Sequence, residues 1–344
     1  MEKEPKVAIV ILNWNGFDDT VECLDSIKEM SGYANYRVVL VDNGSAKSEG
    51  ARLKEKFPGI HLISNSTNRG FAGGNNDGIK WALENAFEYI VNLNNDCIVG
   101  KDWLIRLMGG MLSTKADFGT LRIMYYPETD LICSDGDAFL IDGSGIAINH
   151  LGKVSSETGP SQIRSACGAG SIYSIKSLLG TELEKNEFFD KLYFAYHEDI
   201  DLGIRLNARS RRGVLVPDAV IYHKGTQTAG FRSAFHQFQM EKNRLLTMML
   251  NYPVWLIIPG ELFHFFKLVA RRIYRTFNKA RVRRTEENMP GITGSIKVMV
   301  QARIWILRNF RSILKDRKLR KKKGFIKGSI AGHFYWDLAR IFTC

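Results

Sequence analysis

Five consecutive positions, His197-Glu198-Asp199-Ile200-Asp201, set a histidine and three carboxylates side by side, and a helix-like run from Leu202 to Leu206 follows. Carboxylates this close repel one another, and burial raises their pKa further. That arrangement suits the removal of a proton from a substrate. It equally suits a helix N-terminus, where acids complement the dipole and Asp201 pairs with Arg205 at i,i+4. The five residues alone leave both readings open.

Two further groups have chemistry to offer. Asn94-Asn95-Asp96 closes an apolar stretch and supplies one carboxylate. Mg²⁺ takes only one or two protein carboxylates and completes its octahedron with phosphate oxygens and water. His223 follows the apolar stretch Val214–Tyr222, 24 positions after Asp199. That separation leaves room for one helix and one strand, so both residues can reach one cleft. Other chemistries are excluded by pattern. The glycines of Asn68–Asn76 do not fit G-x-G-x-x-G, no Gly-Lys-Ser/Thr follows a glycine-rich run, and no Gly-x-Ser-x-Gly elbow occurs.

The elements that must position these residues alternate between strand and helix. Val7–Leu12, Tyr36–Val41, Ile60–Ser64 and Tyr89–Leu93 read as buried strands. Thr20–Met30, Ala51–Phe57 and Asn75–Ala86 read as helices between them. Repeated βα units of this length predict a mainly parallel central sheet covered by helices, with ligands beyond the carboxyl ends of the strands. Polar clusters fall at those ends: Asn13-Trp14-Asn15-Gly16, Asp42-Asn43-Gly44-Ser45, Asn65 to Gly74, and Asn94-Asn95-Asp96. Residues 118–180, rich in Gly and Asp as in Asp135-Gly136-Asp137, read as loops and short strands forming an acceptor-side wall, where Gly168-Ala169-Gly170-Ser171 either lets a backbone approach a ligand closely or makes a tight bend.

Charge divides the 344-residue chain unevenly. From Glu261 onward there are 21 Lys/Arg against 5 Asp/Glu, whereas residues 1–260 hold 27 against 31. The net charge of +12 therefore belongs to the tail. Ile292–Leu314 has the pattern of a basic amphipathic helix, and Arg317–Lys323 holds six basic residues in seven positions. Clustered cations beside apolar residues favour an anionic membrane surface. Val254–Ala270 is apolar but broken by Pro259-Gly260, too broken for a span. No apolar leader precedes the first strand, and five scattered cysteines without CxxC spacing fit a reducing cytoplasm and no structural zinc.

Taken in order, the blocks Val10–Gly16, Val41–Ser45, Asn68–Asn76, Asn94–Asp96, Glu198–Leu202 and Pro217–His223 resemble the family 2 glycosyltransferases, near their rhamnosyltransferase-like members, over residues 6–225. The resemblance implies an α/β GT-A fold, with a transferase domain over 1–245 and a C-terminal helical, basic, membrane-associating region over 246–344. Asp42 would contact the nucleotide base, with the backbone around Asn13 and Asn15 lining the pocket. Asn68, Arg69 and Gly70 would sit by base and ribose, and Asn95 would belong to the same donor site. Asp96 would be the remaining acid of a D-x-D motif whose first position is Asn94, and His223 would complete a site for Mg²⁺ or Mn²⁺. Asp199 would be the catalytic base, with Glu198 beside it. The implied activity is inverting transfer of a sugar, rhamnose from dTDP first and UDP-sugars next, to a lipid-linked or cell-surface glycan at the inner face of the membrane. The alternatives are an inactive glycan-binding scaffold of the same fold, or a nucleic-acid binder using the tail. The acidic main domain has no nucleic-acid-reading motif, which disfavours the last.

Overall fold

The computed structural model describes residues 4–127, 130–154, 159–225, 233–277 and 292–337. Part of the basic tail, residues 278–291 and 338–344, lies outside them. The chain forms two compact units, one of residues 1–137 and 147–228, the other of residues 138–146 and 229–344.

The first unit is built on β1 (Val7–Asn13), β2 (Tyr36–Asp42), β3 (His61–Ser64) and β4 (Tyr89–Asn94), which pair in parallel in the order β3-β2-β1-β4. Alternation explains why these runs are apolar throughout. Ile9 and Ile11 of β1 pack on one face with Leu24, Leu40 and Trp103, while Ala8 and Val10 pack on the other with Val39, Val41 and Ile79. A fully buried isoleucine here contributes about 1.5–3 kcal/mol over an exposed one. Helices α1 (Phe17–Lys28) and α2 (Glu49–Lys56) connect the first strands, and α3 (Gly70–Glu84) crosses to β4. The last begins at Gly70 and not at Asn75. Its glycines are poor helix formers but let the helix sit on the sheet: a Cβ on Gly78 would lie 2.4 Å from Val10 Cγ1.

Residues 118–180 are more ordered than expected. After the short β5 (Cys97–Val99) and α4 (Trp103–Thr114), β6 (Phe118–Tyr125) is an eight-residue strand inside the sheet. Short strands β7 (Ile132–Ser134), β8 (Asp137–Phe139), β9 (Gly145–Ala147) and β10 (Ser161–Ile163) follow. Then β11 (Gly170–Ser174) inserts antiparallel between β4 and β6. The sheet is therefore mixed, parallel on one side and antiparallel around β11. Beyond the short α5 (Ile175–Leu178) come α6 (Glu198–Ala208) and β12 (Gly213–His223), the latter returning parallel to β6.

The second unit holds α7 (Ala234–Asn251), α8 (Ile257–Phe277), α9 (Ile292–Arg308) and α10 (Phe310–Lys322). Helix α7, which runs across the expected boundary at 245/246, belongs whole to this unit. Pro259-Gly260 does not interrupt α8, because a proline in the first turn lacks only an N–H that would be unpaired anyway. The amphipathic stretch Ile292–Leu314 breaks at Asn309 into two helices. Segment 138–146 joins them through Asp142, fully buried, which accepts from His264 Nδ1 at 2.9 Å and from Lys267. The hydrogen bond from His264 and the charge of Lys267 outweigh the cost of burying Asp142 and hold its carboxyl well below the usual range.

Candidate active site

Register puts the ends of the parallel strands on one edge. Asn13 stands opposite Asp42, Asp42 opposite Ser64, and Leu12 opposite Asn94. Asp96 occupies the turn between β4 and β5, and β5 pairs antiparallel with β12 so that Cys97 faces His223. This pairing brings Asp96 Oδ1 to 3.1 Å from His223 Nε2, although the two residues are far apart in the chain. Asn94 Nδ2 lies 3.4 Å from the same nitrogen. Burial opposes an imidazolium at His223, but the adjacent Asp96 and Cys133 outweigh it and raise the pKa to about 10. Among the described residues the buried Asp96 Oδ1 meets no polar group beyond this contact with His223. An open carboxylate oxygen facing an imidazole nitrogen fits Mg²⁺ or Mn²⁺. Cys97 sits in the same cluster. Its Sγ donates to the Ala169 carbonyl at 3.7 Å, and burial pushes the thiol pKa well up, which favours the protonated form.

The five-residue acidic motif starts α6, and its members divide the two roles that the sequence left open. Asp201 and Arg205 are fully buried and form the i,i+4 pair, with Arg205 Nε to Asp201 Oδ2 at 3.0 Å. Arg205 also bonds the carbonyls of Thr181 and Phe188, which fastens α6 to the preceding loop. Asp199 does something else. Its Oδ2 accepts the Gly168 amide at 2.9 Å and its Oδ1 the Ile200 amide at 2.7 Å. Burial raises its pKa, while those two amides favour the charged form. Asp137 lies against it and is raised much further, by burial and by the charge of Asp199. Both carboxyls are thus pushed up by burial, and the charge of Asp199 pushes Asp137 the further. Glu198 is buried beside it. Burial, with the charges of Glu198 and Asp96, pushes the Tyr196 phenol up to about 12.

The loop entering α6 is strained. Phe194, Tyr196 and His197 all have φ between 65° and 69°, a left-handed region that bulky residues avoid. The Phe194 carbonyl bonds the Ala72 amide at 3.2 Å, and a Cβ on Gly70 would lie 2.3 Å from that oxygen. Gly70, at φ 71°, is thus the residue that lets the Asn68–Gly70 loop meet the loop carrying Glu198 and Asp199.

The other sequence-predicted donor residues form a bonded frame at the strand ends. Asp42 accepts the amides of Ser45 at 3.2 Å and Gly50 at 3.0 Å, so its carboxylate holds the β2–α2 turn. Asn13 is buried, donating to Glu49 at 3.0 Å and accepting from Thr20 at 2.9 Å. Asn15, exposed at φ 52°, accepts the Ala46 amide at 2.8 Å. Asn68 accepts from Gly70 N at 2.8 Å, and Arg69 pairs with Asp77. Asn95 turns its amide toward Thr20 at 2.9 Å and Gly16, bracing the start of α1. Sequence reasoning passed over Asn43, which accepts from Arg69 N at 3.1 Å and donates to Asn68 and Gly70, and it passed over Gly168 and Asp137 as partners of Asp199. Asn43 showed in the sequence only as part of the polar cluster after the second strand, and Gly168 and Asp137 only as parts of Gly- and Asp-rich stretches.

Residues 8–176 match the family model described as Glycosyl transferase family 2. No curated protein matches the chain. Among solved structures, GalNAc-T7 with UDP, GalNAc and Mn²⁺ superposes at a TM-score of 0.58 with 12% identity, over 74% of this chain. The chain spans about half of that protein's length, 49%. The mannosyltransferase PcManGT from Pyrobaculum calidifontis, in complex with GDP-Man and Mn²⁺, gives 0.51 and 14%, over 94% of this chain and 88% of that one. S. aureus TarS 1-349 gives 0.51 and 13%, over 96% and 93%. At these identities the likeness is one of fold. The first unit thus has the GT-A fold of glycosyltransferases, and the match to the family 2 model covers residues 8–176, just under half of the chain.

Proposed function

We propose that the chain transfers a sugar from a nucleoside-diphosphate donor to a hydroxyl of a lipid-linked or cell-surface glycan, with inversion at the anomeric carbon. One observation carries this reading. The Cys167–Ala169 loop holds Asp199 through the Gly168 amide, and the neighbouring Ala169 carbonyl accepts the Asn94 amide at 3.1 Å, two residues before Asp96. A base and a candidate cation site thus share one short loop. The UDP, GDP-Man and Mn²⁺ named for the similar structures support it.

Asp96 and His223 would hold Mg²⁺ or Mn²⁺, which supplies positive charge to a diphosphate leaving group. Asp199 accepts the proton of the acceptor hydroxyl as its oxygen bonds to the anomeric carbon, and the bond from that carbon to the diphosphate breaks. The Gly168 and Ile200 amides keep Asp199 oriented and ionised. The frame of Asn13, Asn15, Asp42, Asn68, Arg69 and Gly70 shapes the base and ribose pocket through its backbone. The preferred donor is dTDP-rhamnose, with UDP-sugars next, and the enzyme works on the cytoplasmic side, at the inner face of the membrane.

A thermal-shift screen of nucleotide sugars with Mn²⁺ tests this. A ligand at 100 times its Kd adds about 2.7 kcal/mol of stability. Stabilisation by one donor, together with metal-dependent release of its nucleoside diphosphate, is the expected result. Donor binding without release points to an inactive scaffold, and no response to any donor overturns the proposal.

A further inference from the structure

Helix α8 is built inside out. Along its length Gly260, His264 and Lys267 are buried at helical spacing, and Glu261 beside them pairs with Arg244 at 2.6 Å. The polar side thus faces the second unit's interior, where Asp142 receives His264 and Lys267. The opposite side presents Ile258, Leu262, Phe265, Phe266, Val269 and Ile273 to solvent, with Phe265 60% and Phe266 62% exposed. Trp255 stands exposed just before this stripe. A helix that spends its polar groups inward and its aromatic groups outward is not arranged for water.

Helix α9 repeats the pattern. It buries Ala302 and Ile306, while Ile296, Val300, Ile304 and Leu307 face out. Arg303 of α9 bonds Glu261 of α8 at 2.8 Å, and both helices pack on α7, where Arg303 also bonds Glu241 and Glu261 bonds Arg244. Exposed cations surround them in sequence: Arg272 on α8, Arg308, and Arg311, Lys315, Lys318, Lys321 and Lys322 further along.

We propose that the outward stripe of α8, extended by that of α9, is the surface with which the chain lies on an anionic lipid bilayer. Charge selects this occupant. A second copy would bring the same excess of cations, 21 against 5 from Glu261 onward, onto its own image. Anionic headgroups complement those cations, while acyl chains take the phenylalanines. No helix among the described residues is long and apolar enough to cross a membrane, which matches a helix lying in the interface. The sequence alone pointed to Ile292–Leu314 as the docking element; the structure shifts the centre of that surface to α8. This proposal stands apart from the transfer reaction, since it uses no residue of the first unit.

Sedimentation of the full chain with phosphatidylcholine vesicles, with and without phosphatidylglycerol, tests it. The chain should pellet with the anionic vesicles and be released by salt. The double variant Phe265→Gln/Phe266→Gln replaces only exposed rings and should bind about tenfold more weakly, with its melting temperature and its donor hydrolysis in solution unchanged. Failure of the unmodified chain to bind anionic vesicles overturns the proposal, as does undiminished binding by the variant. Self-association in vesicle-free buffer that the variant abolishes would assign the stripe to a second copy and overturn it as well.

Discussion

Asp199 and Gly168 are joined by a 2.9 Å hydrogen bond from the glycine amide to the aspartate Oδ2. That bond fixes the direction of the carboxylate and favours its charged form, while burial and the charge of Asp199 push the neighbouring Asp137 well up. The arrangement is one a general base needs and a simple helix N-terminus does not.

Asp199→Asn keeps an oxygen for the Gly168 amide and loses the basicity. Transfer should fall by about 10²–10⁴-fold, with donor affinity in a binding assay nearly unchanged. An equal loss of donor affinity would make Asp199 a donor-binding residue.

The pH profile follows from the same pair. Burial lifts Asp199 above the ordinary aspartate value of about 3.9. A base works only when ionised, so kcat/KM at saturating Mn²⁺ should be lost as pH falls through a point above that value. A profile flat down to pH ~4 would contradict the assignment.

His223, with its pKa near 10 beside Asp96, carries a proton at neutral pH until a metal displaces it. Mn²⁺ binding should release a proton and weaken by about tenfold for each unit of falling pH. Calorimetry in buffers of different ionisation enthalpy measures the release directly. His223→Ala should weaken Mn²⁺ by about 10–100-fold or more, as loss of a metal-site group does.

Gly70→Ala sets a methyl group 2.3 Å from the Phe194 carbonyl at a positive φ. It should destabilise by about 1–3 kcal/mol in denaturant unfolding and reduce transfer, because the displaced loop leads into Glu198 and Asp199. Gly59→Ala, with nothing within 4 Å of the added carbon, serves as the control and should stay within about 0.5 kcal/mol.

Arg205→Ala leaves Asp201 buried without its cation and should cost about 3–5 kcal/mol. The double variant Asp201→Leu/Arg205→Leu should recover much of that loss, since a buried ion pair replaced by apolar groups is often neutral.

The parallel half of the fold was legible because its strands are buried on both faces and so read as unbroken apolar runs. The polar clusters at their ends were legible for the same reason: where burial stops, turn residues begin. Residues 118–180 hid two interior strands, because β6 and β11 are short of periodic signal and take their places through long-range pairing. In the acidic motif the residue types announced chemistry, yet they did not say which acid was structural. Buried contacts with Arg205 decided that for Asp201, and the Gly168 amide decided it for Asp199.

By itself the amino-acid sequence determined the βα order, the set of polar strand ends and the uneven charge of the tail, because these depend on local periodicity and composition. Tertiary structure alone decided that Asp96 meets His223, that Asp137 meets Asp199, and that α8 turns its apolar side outward. Each of these depends on which distant segment packs against which, and local pattern carries no record of that choice.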